Sequence, residues 1–122
     1  LDGLHYVAAE LVRRRRQDLT RKRRVYVCHP FGADPKGNAE IIRRICRELV
    51  ERGEVPVAPQ LYLPEFIDEE LERETALDLC LELVGTCDEL RVFGPRISAG
   101  MQREMARARA LRLPVTLAEA AS

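Results

Sequence analysis

The chain has 122 residues, 46% of them hydrophobic, which suits one domain with a single core and leaves no length for a second. Its 20 basic and 20 acidic residues cancel, so no global field exists to recruit nucleic acid or an anionic membrane. Four cysteines without a CxxC spacing and two histidines lack the ligands of a zinc site or a redox pair, and no apolar run approaches the ~20 residues of a membrane span. The expectation is reduced, mostly buried thiols, no metal, no cofactor and a cytoplasmic location.

The charge is unevenly placed. Residues 1 to 24 carry 8 basic and 3 acidic side chains, a balance of +5, and residues 25 to 122 carry 12 and 17, a balance of −5. Leu4, Val7, Ala8, Leu11 and Val12 fall at helical spacing ahead of Arg13 to Arg16, which predicts a basic helical leader over 1–24 and a domain over 25–122. The arginines read either as phosphate contacts or as a solvated helix that clasps a neighbour's acidic body. They lack interleaved aromatics and any groove-reading motif, so nucleic acid is not an expected partner.

Val25 to His29 is a short β-branched and aromatic run stopped by Pro30, which suits a buried strand. Asn38 is a candidate N-cap for a helix to about Arg52, with Ile41, Ile42, Ile45, Cys46, Leu49 and Val50 as its apolar stripe and Gly53 as its stop. Val55 to Ala58 forms a second strand, placed outermost because Pro56 lacks an amide donor. Asp68 then caps an acidic helix to about Thr86 with Leu71, Leu77, Leu81 and Val84 inward. Leu90 to Gly94 is the third strand. Ser98 or Ala99 opens a third helix through Met101, Met105, Ala108 and Leu111, Pro114 to Leu117 is the fourth strand, and Ala118 to Ser122 is a frayed end.

Strands alternating with helices require right-handed crossovers and a parallel sheet covered on both faces. The expected fold is α/β: a small Rossmann-like, flavodoxin-like three-layer sandwich with strand order 2-1-3-4. Ligands of such sheets bind outside the carboxyl ends of the strands, beside the first strand where the order reverses. Three loops meet there, 29–38, 58–68 and 94–100.

In the third loop Gly94, Ser98, Gly100 and Met101 sit between a strand and a helix, where free amides and the helix dipole suit a phosphate or carboxylate. Glu104 follows on the same helix. A capped helix with a solvated glutamate is the plain alternative. His29 and Pro30 end the first strand at the ligand side, Phe31 can stack on a base, and Gly32 lets the loop approach it; a loop-fastening histidine and a core phenylalanine are the alternatives. Asn38 is either a ligand contact or only a cap. Gln60, with Tyr62 and Phe66, walls a base pocket or belongs to a self-packed loop.

Val25-Tyr26-Val27 with its Pro30 loop, Asn38, Cys87-Asp88-Glu89-Leu90, the run Ser98-Ala99-Gly100-Met101-Gln102-Arg103-Glu104 and Leu113-Pro114-Val115 together resemble the nucleoside 2-deoxyribosyltransferase superfamily, especially a short branch without assigned function. The resemblance spans residues 25 to 117 and turns on the S-x-G-x-x-x-E element. It implies that Glu104 is a nucleophile toward the anomeric carbon of a 2'-deoxynucleoside, with water or a second base completing hydrolysis or transfer. Serine at position 98, where the transferases carry aspartate, resembles the branch that hydrolyses deoxynucleoside 5'-monophosphates. Where those hydrolases place an arginine and paired glycines in the first loop, this chain has Lys36 and Gly37. Asp78 is the candidate second carboxylate, Glu82 its substitute, and both read equally as members of a solvated acidic face. The implied partner is a small nucleoside or nucleotide, and relatives of this fold imply a homo-oligomer. A non-catalytic nucleotide-sensing module of the same fold is the other hypothesis.

Overall fold

Strand β1 (Arg24–Cys28) runs through the centre of the sheet, and its alternation divides the core into two. Val25 and Val27 point to one face and meet Ile42, Leu49 and Ala58. Tyr26 and Cys28 point to the other and meet Val84, Leu90, Met101 and Met105. A strand buried on both faces reads as an unbroken apolar run, which is why VYVC shows no polar position. The computed structural model describes residues 21–118. Of the helical leader expected over residues 1–24, residues 1–20 lie outside the described residues, as does the tail from 119.

The sheet is parallel throughout, with strand order β2-β1-β3-β4, as expected: β2 is Val55–Val57, β3 Glu89–Val92 and β4 Val115–Leu117. Pro56 lies on the edge strand, opposite Val25. Helix α1 (Pro35–Glu51) packs on β1 and β2 on one face, while α2 (Arg73–Val84) and α3 (Ala99–Ala110) pack together on the other. Ala118, expected to fray, donates its amide to the Val92 carbonyl at 2.9 Å and extends the β4 pairing.

Two helix starts differ from the sequence reading. Helix α1 begins three residues before Asn38: Asp34 is the N-cap, its carboxylate accepting from the Gly37 amide at 3.2 Å, and Pro35 fills the first turn. Proline is favoured there because its missing N–H would have no partner anyway. Asn38 instead donates its side-chain amide to the Phe31 carbonyl at 3.1 Å and fastens the first loop. Helix α2 begins at Arg73 rather than Asp68, whose carboxylate holds an isolated turn by accepting from the Glu70 and Leu71 amides. Leu71, expected inward, is 86% exposed as a result. On α1 the apolar stripe is narrower than expected, since Ile41 and Val50 face outward.

The amino end of the sheet is closed by charge. Glu89, at the start of β3, accepts from Arg23 and Arg91 at 2.8 Å each and from the Thr116 hydroxyl, and Arg91 forks onto Glu54. Asp88 accepts from the Arg24 amide and from Arg21. Every strand or its lead-in contributes, so ion pairs and hydrogen bonds occupy this end of the sheet. No described helix is long and apolar enough to cross a membrane.

Candidate functional site

The third loop leaves β3 through Gly94, whose φ of +94° lies in the left-handed region. A Cβ there would stand 3.1 Å from Pro30 Cδ and 3.3 Å from His29 Nε2, so the glycine lets the first and third loops touch. His29 itself is 6% exposed, and its Nδ1 donates to the Pro30 carbonyl at 2.7 Å. The imidazole fastens the loop junction, and Pro30 beneath it is buried.

Ser98 caps α3, accepting from the Met101 amide at 3.2 Å while its own amide faces the Met101 sulfur. The geometry of a helix start leaves the Ala99 and Gly100 amides without intrahelical acceptors. A Cβ on Gly100 would meet only the Ser98 hydroxyl, at 4.0 Å, so packing does not demand glycine there. The turn is open to an anion at the positive end of the helix dipole.

Glu104 lies one turn further on, in the buried stripe of Met101, Met105 and Ala108, and is 6% exposed. The Tyr26 hydroxyl donates to its Oε2, and the Cys28 thiol faces its Oε1 at 3.7 Å. Among the described residues no cation pairs with it. Burial pushes its pKa up to about 7, against the pull of the Tyr26 and Cys28 hydrogen bonds. The same burial, with the Glu104 charge second, holds the Tyr26 phenol and the Cys28 thiol well above their ordinary values.

From α2, the side chain that reaches this cluster is Cys80. Burial, then the Glu104 charge, pushes its thiol up to about 11. Asp78, two positions earlier and therefore about 200° around the helix, is exposed, as is Glu82. Glu69, half-buried in the turn ahead of α2, also acts on the Cys80 thiol by its charge, and its own pKa is raised by burial against the pull of Arg73. Sequence reasoning did not single out Tyr26, Cys28, Cys80 or Glu69. Strand alternation held the signal for the first two, since residues 26 and 28 must share the face that α3 covers.

A cavity of about 240 Å³ opens between α1 and the second loop, lined by Phe31, Lys36, Arg43, Gln60, Leu61 and Glu65 among others. Gln60 donates its Nε2 to the Val27 carbonyl at 3.0 Å, which leaves its buried Oε1 without a partner. Phe31 is half-buried, packing on the α1-side core as well as lining the cavity, and Gly32 is exposed with open space around it. Glu104, Ser98, Gly100 and Met101 do not line this cavity. Tyr62 and Phe66 stack on each other at 6.3 Å on the surface. No described group of three or more His, Cys, Asp or Glu is arranged to hold a metal.

A four-stranded parallel sheet in this order, with helices on both faces, defines a three-layer α/β fold. A solved 2-deoxyribosyltransferase from the psychrotolerant bacterium Bacillus psychrosaccharolyticus shares it, with a TM-score of 0.59 at 22% identity over 77% of this chain and 70% of that one. Residues 23–118 match the family described as Domain of unknown function (DUF7768), and the chain belongs to that family. No curated protein matches it.

Proposed function

We propose that the protein cleaves or transfers the N-glycosidic bond of 2'-deoxynucleosides or their 5'-monophosphates, with Glu104 as nucleophile. The observation that carries this reading is a carboxylate buried against Tyr26 and Cys28 of β1, with a phenol and a thiol as donors and no cation among the described residues. Such burial costs stability without an ion pair to offset it, which marks a functional group rather than a structural one. In the reaction a carboxylate oxygen forms a bond to C1' as the C1'–N bond breaks and its electron pair leaves with the base, which takes up a proton. Water or a second base then displaces the carboxylate, and configuration is retained.

Ser98 and the Ala99 and Gly100 amides take the sugar hydroxyls or the 5'-phosphate, with Gly94 and Met101 shaping that turn. Phe31 stacks on the base and Gln60 Oε1 accepts one of its N–H groups, Gly32 lets the first loop approach the base, and His29, Pro30 and Asn38 hold that loop in place. What supports Glu69 over Asp78 as the proton donor is its half-buried position, where Asp78 is exposed. The working form is a homo-oligomer, to be read from its molar mass in solution. One observation favours a second reading, a nucleotide-binding module without turnover: Glu104 is nearly enclosed and does not line the open cavity.

Incubation with a panel of deoxynucleosides and their monophosphates, followed by chromatography for free base, separates the two. Base release that disappears in Glu104→Gln supports the enzyme. Thermal stabilisation by a ligand with no release supports the binding module and ends the catalytic reading.

A further inference from the structure

The two oxygens of Glu104 are held unequally. Oε2 takes the hydrogen of the Tyr26 phenol, a strong donor, whereas Oε1 faces the Cys28 thiol, a weak one, at 3.7 Å. The Cys28 sulfur also lies 4.0 Å from the Met101 carbonyl, one turn back on the helix that carries Glu104. A thiol has a single hydrogen and serves one of these acceptors at a time. Tyr26 and Cys28 are alternate residues of one strand, so β1 sets one donor beneath each oxygen, and both are fully buried.

We propose that Cys28 is a positioning residue for Glu104: its thiol holds Oε1 in the resting carboxylate, turns to the Met101 carbonyl when Oε1 engages carbon, and so makes Oε1 the attacking oxygen. This rests on the Glu104 chemistry proposed above. The oxygen bound by the phenol keeps its hydrogen bond through the reaction, and its partner is released by breaking only a long S–H contact. The alternative acceptor means that the buried thiol is not left unpaired at that moment. The groups facing the carboxylate are Tyr26 and Cys28 from β1 and Cys80 from α2, with Glu69 beyond Cys80, and of these only the first two donate to it.

The test follows the S–H stretching band of the protein by infrared spectroscopy, isolating the Cys28 contribution as the difference between the wild type and Cys28→Ala. The expected result is a Cys28 band that moves with pH in step with Glu104 ionisation and stays fixed when the same difference is taken in the Glu104→Gln background. A Cys28 band that stays put between pH 5 and 9 in the wild type overturns the proposal, and this measurement needs no turnover. In Cys28→Ala, the acid limb of kcat is expected to move up by about one pH unit with KM within twofold of the wild type. An unmoved limb beside Glu104-dependent base release overturns the role of Cys28 alone. Absence of base release from the wild type ends the glycosidic reading instead, while the infrared band still decides the thiol contact.

Discussion

The Tyr26 hydroxyl donates to the Glu104 carboxylate across 78 residues of sequence, joining the central strand to the last helix inside the core. Among the described residues neither meets a cation, and of the groups that favour the charged form of Glu104 the phenol is the strongest. Replacing it with phenylalanine keeps the ring packing and removes that donor. Tyr26→Phe should raise the Glu104 pKa beyond about 7 and cost about 1–3 kcal/mol at pH 8, with a smaller loss at pH 5, where the carboxyl is neutral. Urea denaturation at the two pH values checks both halves. Equal losses would show that the phenol does not favour the charged form of Glu104 over the neutral one.

Stability should also depend on pH in two separate windows. The folded pKa of Glu104, about 7, is raised above the ordinary 4.5, so its contribution is complete below 4.5 and is lost as pH rises through about 7. The loss amounts to about 3 kcal/mol for a shift of this size. Glu89 behaves oppositely. Burial would raise its pKa, but hydrogen bonds from Arg91, Thr116 and Arg23 outweigh burial and hold it at about 2, so its contribution is present above 4.5 and is lost as pH falls through about 2. The two windows meet, and stability should peak at about pH 4 to 5. In Glu104→Gln the decline from pH 5 to 8 should vanish, leaving a variant more stable than the wild type at pH 8. A wild type equally stable at pH 5 and 8 would refute the buried-carboxylate account.

The strand order was legible because VYVC is a continuous apolar run and LRVF is apolar but for Arg91, and right-handed crossovers leave few arrangements for them. The burial of Glu104 was not read, although it falls three residues after Met101 and four before Ala108 on the inward stripe. Nor was the exposure of Asp78. Leu77, Leu79, Leu81 and Leu83 put apolar side chains all round α2, so no period distinguished the face carrying Asp78 from the face carrying Cys80. The α1 start was misread although Asp34-Pro35 is a strong start signal, because Asn38 stood closer to the apolar stripe. At Asp68 the capping residue was recognised correctly, but the turn it stabilises is not continued into helix.

Gly94 makes the junction of the first and third loops testable. An alanine there must adopt a φ of +94° and place its Cβ 3.1 Å from the Pro30 ring and 3.3 Å from the His29 imidazole. Neither neighbour has room to yield, since both are buried at the end of β1. Gly94→Ala should cost about 2–4 kcal/mol from backbone strain and crowding together. Gly32→Ala, with open space around its Cβ, should change stability by less than about 1 kcal/mol. Thermal denaturation of the pair checks the contrast, and comparable losses would mean that the loops do not depend on the Gly94 contact.

Gln60 separates a ligand acceptor from a packing defect. Its Nε2 satisfies the Val27 carbonyl, and its Oε1 is buried without a partner beside the open cavity. An orphaned buried acceptor is a standing cost that a ligand N–H would relieve. Gln60→Leu removes the orphan and at the same time leaves the Val27 carbonyl unpaired. These effects oppose each other, so stability without ligand should stay within about 1 kcal/mol of the wild type. Affinity for a deoxynucleoside whose base offers an N–H should fall about tenfold or more, because the base then meets a side chain that cannot accept. Calorimetric titration of both proteins with one such nucleoside decides it. Unchanged affinity would remove Gln60 from the ligand site, whereas a large loss of stability without ligand would show that its bond to Val27 is its main role.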